Sequence, residues 1–411
     1  MTNKRYPILA DNRHCTGCMG CVDACHQDAL TKIVNEEGYY TYKLDTSKCV
    51  GCLLCERICP VVGDKSYGDN SLNNPVYAAW SNNEQIRVNS SSGGVAAEIS
   101  KYFLSKGGTV IGATIDETTC HHICITDVNA LYRLQGSKYI QSDTTGVFRQ
   151  MLQNLKEGRK VLFTGTPCQV AAAINFVKED KLKEHLYTLD IACGGVPSLF
   201  LRDRFVSEYG AEIKVIHSFR NKDNGWKATG YKYELKAITK QNNLKSYGLH
   251  NLMLGGFGME LTNRYSCYNC KFALVNRKSD FTVADFWGDT DHKEEHYKGL
   301  STLSVHTSKG SQLLDEIKTL SCVPTTWEKV LLRNYRYAYG KSLKGKTLAR
   351  RLISTSFSKM SYSNLCLLYA GAAKPQNIIF FFLKAVYVAI GVINFKKAIR
   401  YINKEILNKS R

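Results

Sequence analysis

The sequence predicts an α+β protein: a small N-terminal module built on cysteine loops, then a mixed α/β domain, then a basic, helical C-terminal tail. Three observations carry this. Two identical cysteine runs lie within the first 59 of 411 residues, short apolar runs alternate with helical stretches from residue 76 onward, and positive charge gathers at the end. With 44% hydrophobic and 22% charged residues the chain has an ordinary globular composition, long enough for two or three packed units. Residues 331–411 hold sixteen Lys or Arg against Glu405, which is +15 of the net +19 and leaves residues 1–330 at +4. A nearly neutral body exerts no general pull on a polyanion, so no nucleic acid is expected as partner of the main function. The opening residues lack the apolar core of a secretory signal, and no stretch before residue 370 is long enough to span a bilayer, so the expected location is cytoplasmic. Sixteen cysteines in that compartment point to metal ligands rather than disulfides.

Cys15, Cys18, Cys21 and Cys25 form C-x2-C-x2-C-x3-C, and Cys49, Cys52, Cys55 and Cys59 repeat the run 34 residues later, with Gly51 matching Gly17. Only the sulfur spacing repeats, so this is a duplicated cluster loop and not a helical array. Three thiolates from one tight turn cap three corners of a 4Fe-4S cube, the glycine lets the backbone pass close to the sulfides, and the fourth thiolate comes from the other run, as in bacterial two-cluster ferredoxins. This assigns Cys15, Cys18, Cys21 and Cys59 to one cluster and Cys49, Cys52, Cys55 and Cys25 to the other. Zinc prefers paired knuckles separated by a longer gap and fits this spacing poorly. One departure from the ferredoxin pattern is His26, where Pro is expected after the fourth cysteine of the first run; Pro60 keeps it in the second. Residues 33–44, with Gly38 at the centre and Tyr39, Tyr40 and Tyr42 after it, read as a hairpin. The module is expected to span 1–65.

The polar, turn-rich run at 63–75 reads as a linker, and the second domain is expected over 76–330. Residues 76–80, 109–115, 160–164 and 187–192 read as strands, and 95–106, 147–156, 169–177 and 199–209 as helices, an alternation that leaves the loops after strands for ligands. Ser90-Ser91-Ser92-Gly93-Gly94 places hydroxyls and backbone N–H groups ahead of the helix at 95, where a phosphate is favoured; it reads equally well as an N-cap turn. At 164–168 a strand turns into a helix, so Cys168 falls in a first turn whose dipole favours a thiolate. The arrangement recurs around Cys193 at 192–198. Taken singly, both cysteines read more readily as small buried side chains. Cys267 and Cys270 form a C-x2-C knuckle before a strand at 280–288. Two and two make Cys168, Cys193, Cys267 and Cys270 the candidates for a third metal site, 4Fe-4S or zinc. Cys120, Cys124, Cys322 and Cys366 lie in no comparable setting and read as unligated.

Five ordered motifs, GSKYIQSD at 136–143, VLFTGTPCQV at 161–170, DIACGGVPS at 190–198, CYNCKFA at 267–273 and DFWGD at 285–289, resemble the coenzyme F420 hydrogenase/dehydrogenase beta-subunit family, here preceded by a two-cluster ferredoxin module. The resemblance covers roughly residues 1–330. It implies that the mixed α/β domain is flavin-binding, with FAD as the expected flavin and electrons passing between it and the clusters. It makes Ser91, Ser92, Gly93 and Gly94 the flavin-phosphate loop, with Lys138, Tyr139, Asp285 and Trp287 around the flavin or substrate pocket. Without it, Lys138 reads equally as solvated surface and Trp287 as core. The family often has His where Gly194 follows Cys193, so no role of that His carries over. No substrate is implied, since relatives include F420-reducing subunits, chlorophyll-pathway reductases and bacterial proteins from polysaccharide gene clusters.

In the tail, residues 378–393 are apolar but contain Lys384 and fall short of the roughly 20 residues of a spanning helix. With Arg350 and Arg351 before them and Lys396, Lys397, Arg400 and Lys404 after, they read as an interfacial helix on anionic lipid at the inner face of the membrane, or as a basic helix packed on the body or on an acidic protein partner. The expected function is an iron–sulfur flavoprotein oxidoreductase, fed by a ferredoxin-like one-electron donor, with a setting in polysaccharide biosynthesis. The alternatives are a non-catalytic electron-relay subunit and a zinc-stabilised scaffold. No nucleophile or general acid is assigned.

Overall fold

The computed structural model describes residues 5–63, 66–209, 213–220, 222–226, 235–247, 252–258, 260–340 and 347–372. In the N-terminal module each cysteine run encloses one short helix, Gly20–Ala24 and Leu54–Ile58. The two loops follow the same path: Gly17 and Gly51 have φ of 67° and 74°, and Met19 and Leu53 are also left-handed, at 54° and 58°. A side chain at Gly17 would strike the Tyr40 carbonyl and Arg264, so glycine is needed there for close approach as well as for its φ. Between the runs β1 (Leu30–Val34) and β2 (Tyr40–Leu44) pair antiparallel with Leu30 opposite Leu44. The hairpin expected at 33–44 therefore begins three residues earlier, and its turn is held by the Asn35 side chain, which accepts from the backbone N–H groups of Glu37 and Tyr39.

The polar run that follows is anchored rather than loose. Its β3 (Gly68–Asp69) pairs with a strand some two hundred residues on, and the buried Tyr67 donates to Asp190 at 2.7 Å. Next come β4 (Val76–Ser81), β5 (Thr109–Asp116), β6 (Thr119–Ile125), β7 (Val161–Gly165) and β8 (Leu186–Ile191), interleaved with helices Val95–Ser105, Val147–Lys156 and Pro167–Phe176. Thr166 caps the last of these in a capping box with Gln169, so the helix starts at Pro167, two residues before the expected position. β9 (Ile213–Ser218), β10 (Leu235–Thr239) and β11 (Leu244–Tyr247) form a separate antiparallel sheet that the sequence reading did not anticipate. β12 (Asn276–Arg277) is the partner of β3, and β13 (Phe281–Asp285), β14 (Ser301–Val305) and β15 (Leu320–Pro324) complete an eight-stranded mixed sheet of order β15-β4-β14-β13-β8-β7-β5-β6.

Strands β5, β7, β8 and β13 run parallel, and β14 is antiparallel to both β13 and β4. β4 therefore points the same way as the parallel set. The segments leaving β4, β13, β8 and β7 all emerge along one edge, where ligands of open α/β sheets bind. Period-two alternation sets the two faces: Val110, Leu162 and Leu189 face helix Val95–Ser105, while Ile111 and Phe163 face helices Val147–Lys156 and Pro167–Phe176. Each such large apolar side chain contributes about 1.5–3 kcal/mol on burial.

The described part of the basic tail packs on this body. Tyr337 joins one apolar cluster with Trp226, Phe286, Leu300, Trp327 and Val330, and Ile353, Phe357, Tyr362 and Leu365 join another with Leu201, Phe205 and Met253. Arg350 is buried, not a surface cation: its guanidinium donates to the Glu37 carboxylate at 2.7 and 3.2 Å and to the Asn263 carbonyl. The apolar run at 378–393 and Lys396, Lys397, Arg400 and Lys404 lie outside the described residues. Among the described residues no helix is long and apolar enough to cross a membrane.

Candidate redox centre

The cysteine module is docked through its own backbone. Asp23 accepts from the N–H groups of Gly146 and Phe148 at 2.7 and 3.0 Å, so a module carboxylate caps the helix Val147–Lys156 of the body. Arg149 returns bonds to the carbonyls of Asp23 and Cys25, Thr144 donates to the Cys18 carbonyl, and Arg264 and Ser266 both donate to that of Cys15. Gln141 accepts from Tyr40 N–H at 3.0 Å, which puts the 136–143 motif against the first cysteine loop. The hairpin turn seats on helix Leu199–Tyr209, where Leu199 N–H donates to the Gly38 carbonyl and Ser198 to that of Glu37.

The thiols fall into three groups. Burial raises the Cys21 thiol, and Cys18, Cys15, Cys59 and Cys55 raise it further, so the two cysteine runs lie close together, with Cys59 near the first three cysteines. Burial also pushes Cys55 up to about 11, with Cys52 and Cys25 adding to it. A cavity of about 140 Å³ is lined by Cys25, Cys49, Cys52 and Cys55. In the body, Cys168 is the second residue of its helix and leaves β7, while Cys193 follows the neighbouring strand β8. Burial pushes Cys168 up to about 11, with Cys270 adding, and Thr166, Arg264 and Thr16 opposing. Burial thus outweighs the thiolate-favouring position in the first helical turn. Cys267 is pushed up to about 12 by burial, then by Cys270 and Cys168; Cys193 is raised by burial, then by Cys267, Cys168 and Cys270. The four candidate thiols for a third site converge, although among the described residues no three side chains are packed to the spacing of one bound ion. Cys18 lies near Cys168 as well as Cys59, so the first and third groups adjoin.

Buried polar atoms beside the third group lack partners. Thr262 Oγ1, both amide atoms of Asn263 and Arg264 Nε are buried with no hydrogen-bond partner. The segment runs beside the Cys193 loop, since Arg264 N–H donates to the Val196 carbonyl and Ser198 N–H to that of Thr262. Unsatisfied buried donors are costly, and cluster sulfides accept such bonds.

The residues expected around a flavin lie along the same edge. Asp285, at the end of β13, accepts from Arg220 at 2.7 Å and Trp226 Nε1 at 2.9 Å; Trp287 lies flat on Trp226 with ring centroids 4.5 Å apart. Lys222 donates to the carbonyls of Arg87, Ser92 and Lys298, and burial, then Arg220 and Arg87, lower it to about 7. Lys138 is not solvated surface: it donates to the Arg133 and Gln135 carbonyls, and burial lowers it to about 8. Tyr139 packs edge-on to Phe219 and Phe257. The Ser-Gly loop fits a phosphate cradle only in part. Gly93 N–H donates to Ser301 Oγ, Ser92 Oγ donates to the Leu300 carbonyl, and Ser91 Oγ accepts from Ser137 N–H. A Cβ at Gly93 would lie 2.5 Å from the Ala79 carbonyl, so chain packing already requires that glycine. Gly94, at φ 87°, opens the helix, and the buried Glu98 in its first turn accepts from Ser81 and Thr319.

Residues 76–149 and 158–326 match the two halves of one family, described as the N-term and the C terminus of the coenzyme F420 hydrogenase/dehydrogenase beta subunit, together more than half of the chain. The chain belongs to the coenzyme F420 hydrogenase/dehydrogenase beta-subunit family. Residues 14–62 match a 4Fe-4S dicluster domain, which makes the N-terminal module an iron–sulfur module. An F(420)H(2) dehydrogenase subunit of Methanosarcina mazei is 25% identical over 189 residues, 44% of this chain and 53% of that protein. Pyruvate synthase subunit PorD of Methanocaldococcus jannaschii is 40% identical over 55 residues, 13% of this chain and 58% of that protein. The chain thus spans about half the length of the curated relatives it matches. A chain of the F420-reducing NiFe hydrogenase complex from Methanosarcina barkeri superposes with a TM-score of 0.44 at 15% identity, covering 73% of this chain and 92% of that one.

Within this family frame the structure explains one departure. A side chain at Gly194, where the family often has His, would lie 2.6 Å from the Phe257 ring. It also adds site residues that the sequence reading missed: Arg264, Ser266 and Thr16 beside the thiols, Arg220, Lys222 and Trp226 beside Trp287, and Gly340, whose Cβ would meet Cys270 N at 2.8 Å. Thr16 lies inside the first cysteine run, and Arg264 and Ser266 lie just before the Cys267 knuckle, while Arg220, Lys222, Trp226 and Gly340 are recruited from loops distant in the chain.

Proposed function

We propose that this protein is an iron–sulfur flavoprotein oxidoreductase in which single electrons from a ferredoxin-like donor pass through the two module clusters and a third 4Fe-4S cluster to a flavin at the sheet edge. The ligands are Cys25, Cys49, Cys52 and Cys55 for the outer cluster, Cys15, Cys18, Cys21 and Cys59 for the next, and Cys168, Cys193, Cys267 and Cys270 for the third. The observation that carries the reading is that Cys18 of the module and Cys168 of the body pack in one apolar cluster, which brings the module's inner loop to the body's thiols. Along the edge, β7 and β8 supply Cys168 and Cys193, and neighbouring β13 supplies Asp285 and leads to Trp287. A flavin, FAD in this proposal, would convert between single electrons and pairs. Trp287 lies flat on Trp226, and the Arg220–Asp285 pair and Lys222 lie beside these rings. Ser91, Ser92, Gly93, Gly94, Lys138 and Tyr139 complete the proposed pocket.

The test is anaerobic purification followed by iron, zinc and flavin assay. About twelve irons with one flavin is expected. Eight irons would remove the third cluster, four or fewer the ligand pairing, and zinc without iron the whole reading. A substrate from polysaccharide biosynthesis is the first to try with a reduced donor. A second reading, a relay subunit with no substrate of its own, is favoured by the names of the curated relatives, both of which are subunits. Clusters without flavin would support it.

A further inference from the structure

Five arginines are buried among the described residues: Arg87, Arg220, Arg264, Arg277 and Arg350. Four of them pair with carboxylates, on Glu295, Asp285, Asp190 and Glu37 respectively. Arg264 does not. Its Nη1 donates to the Cys15 carbonyl at 2.6 Å, its Nη2 to the Tyr40 carbonyl, its Nε has no partner, and its guanidinium lies over the Tyr39 ring at 5.1 Å. Only 2% of the residue is exposed. A buried cation without a counter-charge is strongly unfavourable, so a fold that keeps one has negative charge nearby in its working form.

The position shows where that charge comes from. A Cβ on Gly17, within the first cysteine loop, would lie 2.7 Å from Arg264 Nη2. Arg264 is also three residues before Cys267 and lies near enough to Cys168 and Cys267 to stabilise their thiolates. A cube ligated by four thiolates carries net negative charge and gains one more unit on reduction, with no bond made or broken. We propose that Arg264 is the shared counter-ion of the Cys15–Cys18–Cys21–Cys59 cluster and the Cys168–Cys193–Cys267–Cys270 site, stabilising their reduced forms and raising their reduction potentials. This rests on the cluster assignment above. It makes Arg264 a positioning and tuning residue at the junction between module and body, holding the electron where the two groups adjoin.

The experiment is an anaerobic potentiometric titration of the full-length protein, followed by electron paramagnetic resonance, for wild type, Arg264→Gln and Arg264→Lys. Arg264→Gln is expected to disfavour reduction of the Cys15 cluster at least tenfold, which is 59 mV for one electron, while the cluster of Cys25, Cys49, Cys52 and Cys55 keeps its potential. Arg264→Lys, which keeps the charge, is expected within twofold of wild type. A smaller shift in the Gln variant, an equal shift in the Lys variant, or an equal shift in the distant cluster overturns the proposal. If the Gln variant loses iron, the Lys variant decides: wild-type iron and potential support the counter-ion, and loss of clusters in both variants overturns it in favour of a docking strut. Wild-type iron near eight would instead remove the third site, and the shift at the Cys15 cluster would still be read.

Discussion

Cys168 shows how one residue answers to several neighbours. Its place in a first helical turn favours a thiolate, but burial and Cys270 push the thiol up to about 11, and only a bound cationic centre reverses that balance. Cys168→Ala is accordingly expected to lower the iron content from about twelve to about eight per chain, with both module clusters retained in the resonance spectrum. Unchanged iron would remove Cys168 from the ligand set. His122 makes the second residue-scale prediction. It bridges Ser142 Oγ at 2.7 Å and the Thr164 carbonyl at 3.1 Å, and burial holds its imidazole down to about 4. The unfolded chain takes up a proton near pH 6.5 that the folded chain refuses. This contribution is therefore present above about pH 6.5 and is lost as pH falls toward 4, by at most about 3 kcal/mol. Urea melts at several pH values between 7.5 and 4.5 should show the slope, and His122→Gln should flatten it. Neither cysteine convergence nor a buried neutral histidine can be read from spacing, because both depend on what the fold places around the side chain.

At the scale of elements, the helix Val147–Lys156 takes its N-terminal cap from another part of the chain. Gly146, its own preceding residue, has no side chain to cap with, and Asp23 of the cysteine module does so instead. Asp23→Ala should cost about 1–2 kcal/mol and loosen the module. Limited proteolysis should then cut between residues 60 and 75, where wild type resists; equal resistance would show the cap to be dispensable for docking. A buried ion pair orders the strand that leads to Cys193. Arg277 donates to Asp190 at 2.8 Å and also holds the carbonyls of Leu274, Ile191 and Tyr337, tying the knuckle, the β8 end and the segment after 330 together. Arg277→Met leaves Asp190 uncompensated and should destabilise by about 3–5 kcal/mol in chemical denaturation, with part of the loss recovered by adding Asp190→Leu. No recovery would mean that the carbonyl bonds, not the charge pair, carry the effect. The strands themselves were legible, because 109–115 and 160–164 are short continuous apolar runs of the kind that parallel strands buried on both faces require; the sheet of β9, β10 and β11 was not, because its short strands mix apolar residues such as Ile213, Ile216 and Ala237 with lysines and carry no such run.

At the scale of the whole molecule, the basic tail divides in two. Residues up to 372 supply Tyr337, Ile353, Phe357 and Leu365 to the core, and Arg350 clamps the Glu37 turn of the module against Asn263. Deleting 374–411 is expected to leave iron and flavin contents intact and to abolish binding to anionic vesicles, which in the intact protein should weaken as salt rises. Deleting 331–411 should give insoluble or cluster-free protein, because it uncovers those apolar contacts. An intact protein that ignores anionic vesicles at low salt would leave packing on the body or on a protein partner as the reading of the tail.

The sequence by itself determined the chemistry of the N-terminal module and the membership of the body. Cysteine spacing is a local geometric constraint, and a cube needs three thiolates from one turn wherever that turn sits. It also determined the alternating strands and helices, since backbone periodicity shows in side-chain polarity. Only the tertiary structure decided how these parts meet. Parallel strand order brought Cys168 and Cys193 to neighbouring positions and set Asp285 beside them; docking gathered Cys18 and Cys168 into one apolar cluster; and burial turned Arg264, an ordinary residue when read in the chain, into a cation without a carboxylate. Each of these depends on residues far apart in sequence, and desolvation, which sets their energetics, exists only once the chain has packed.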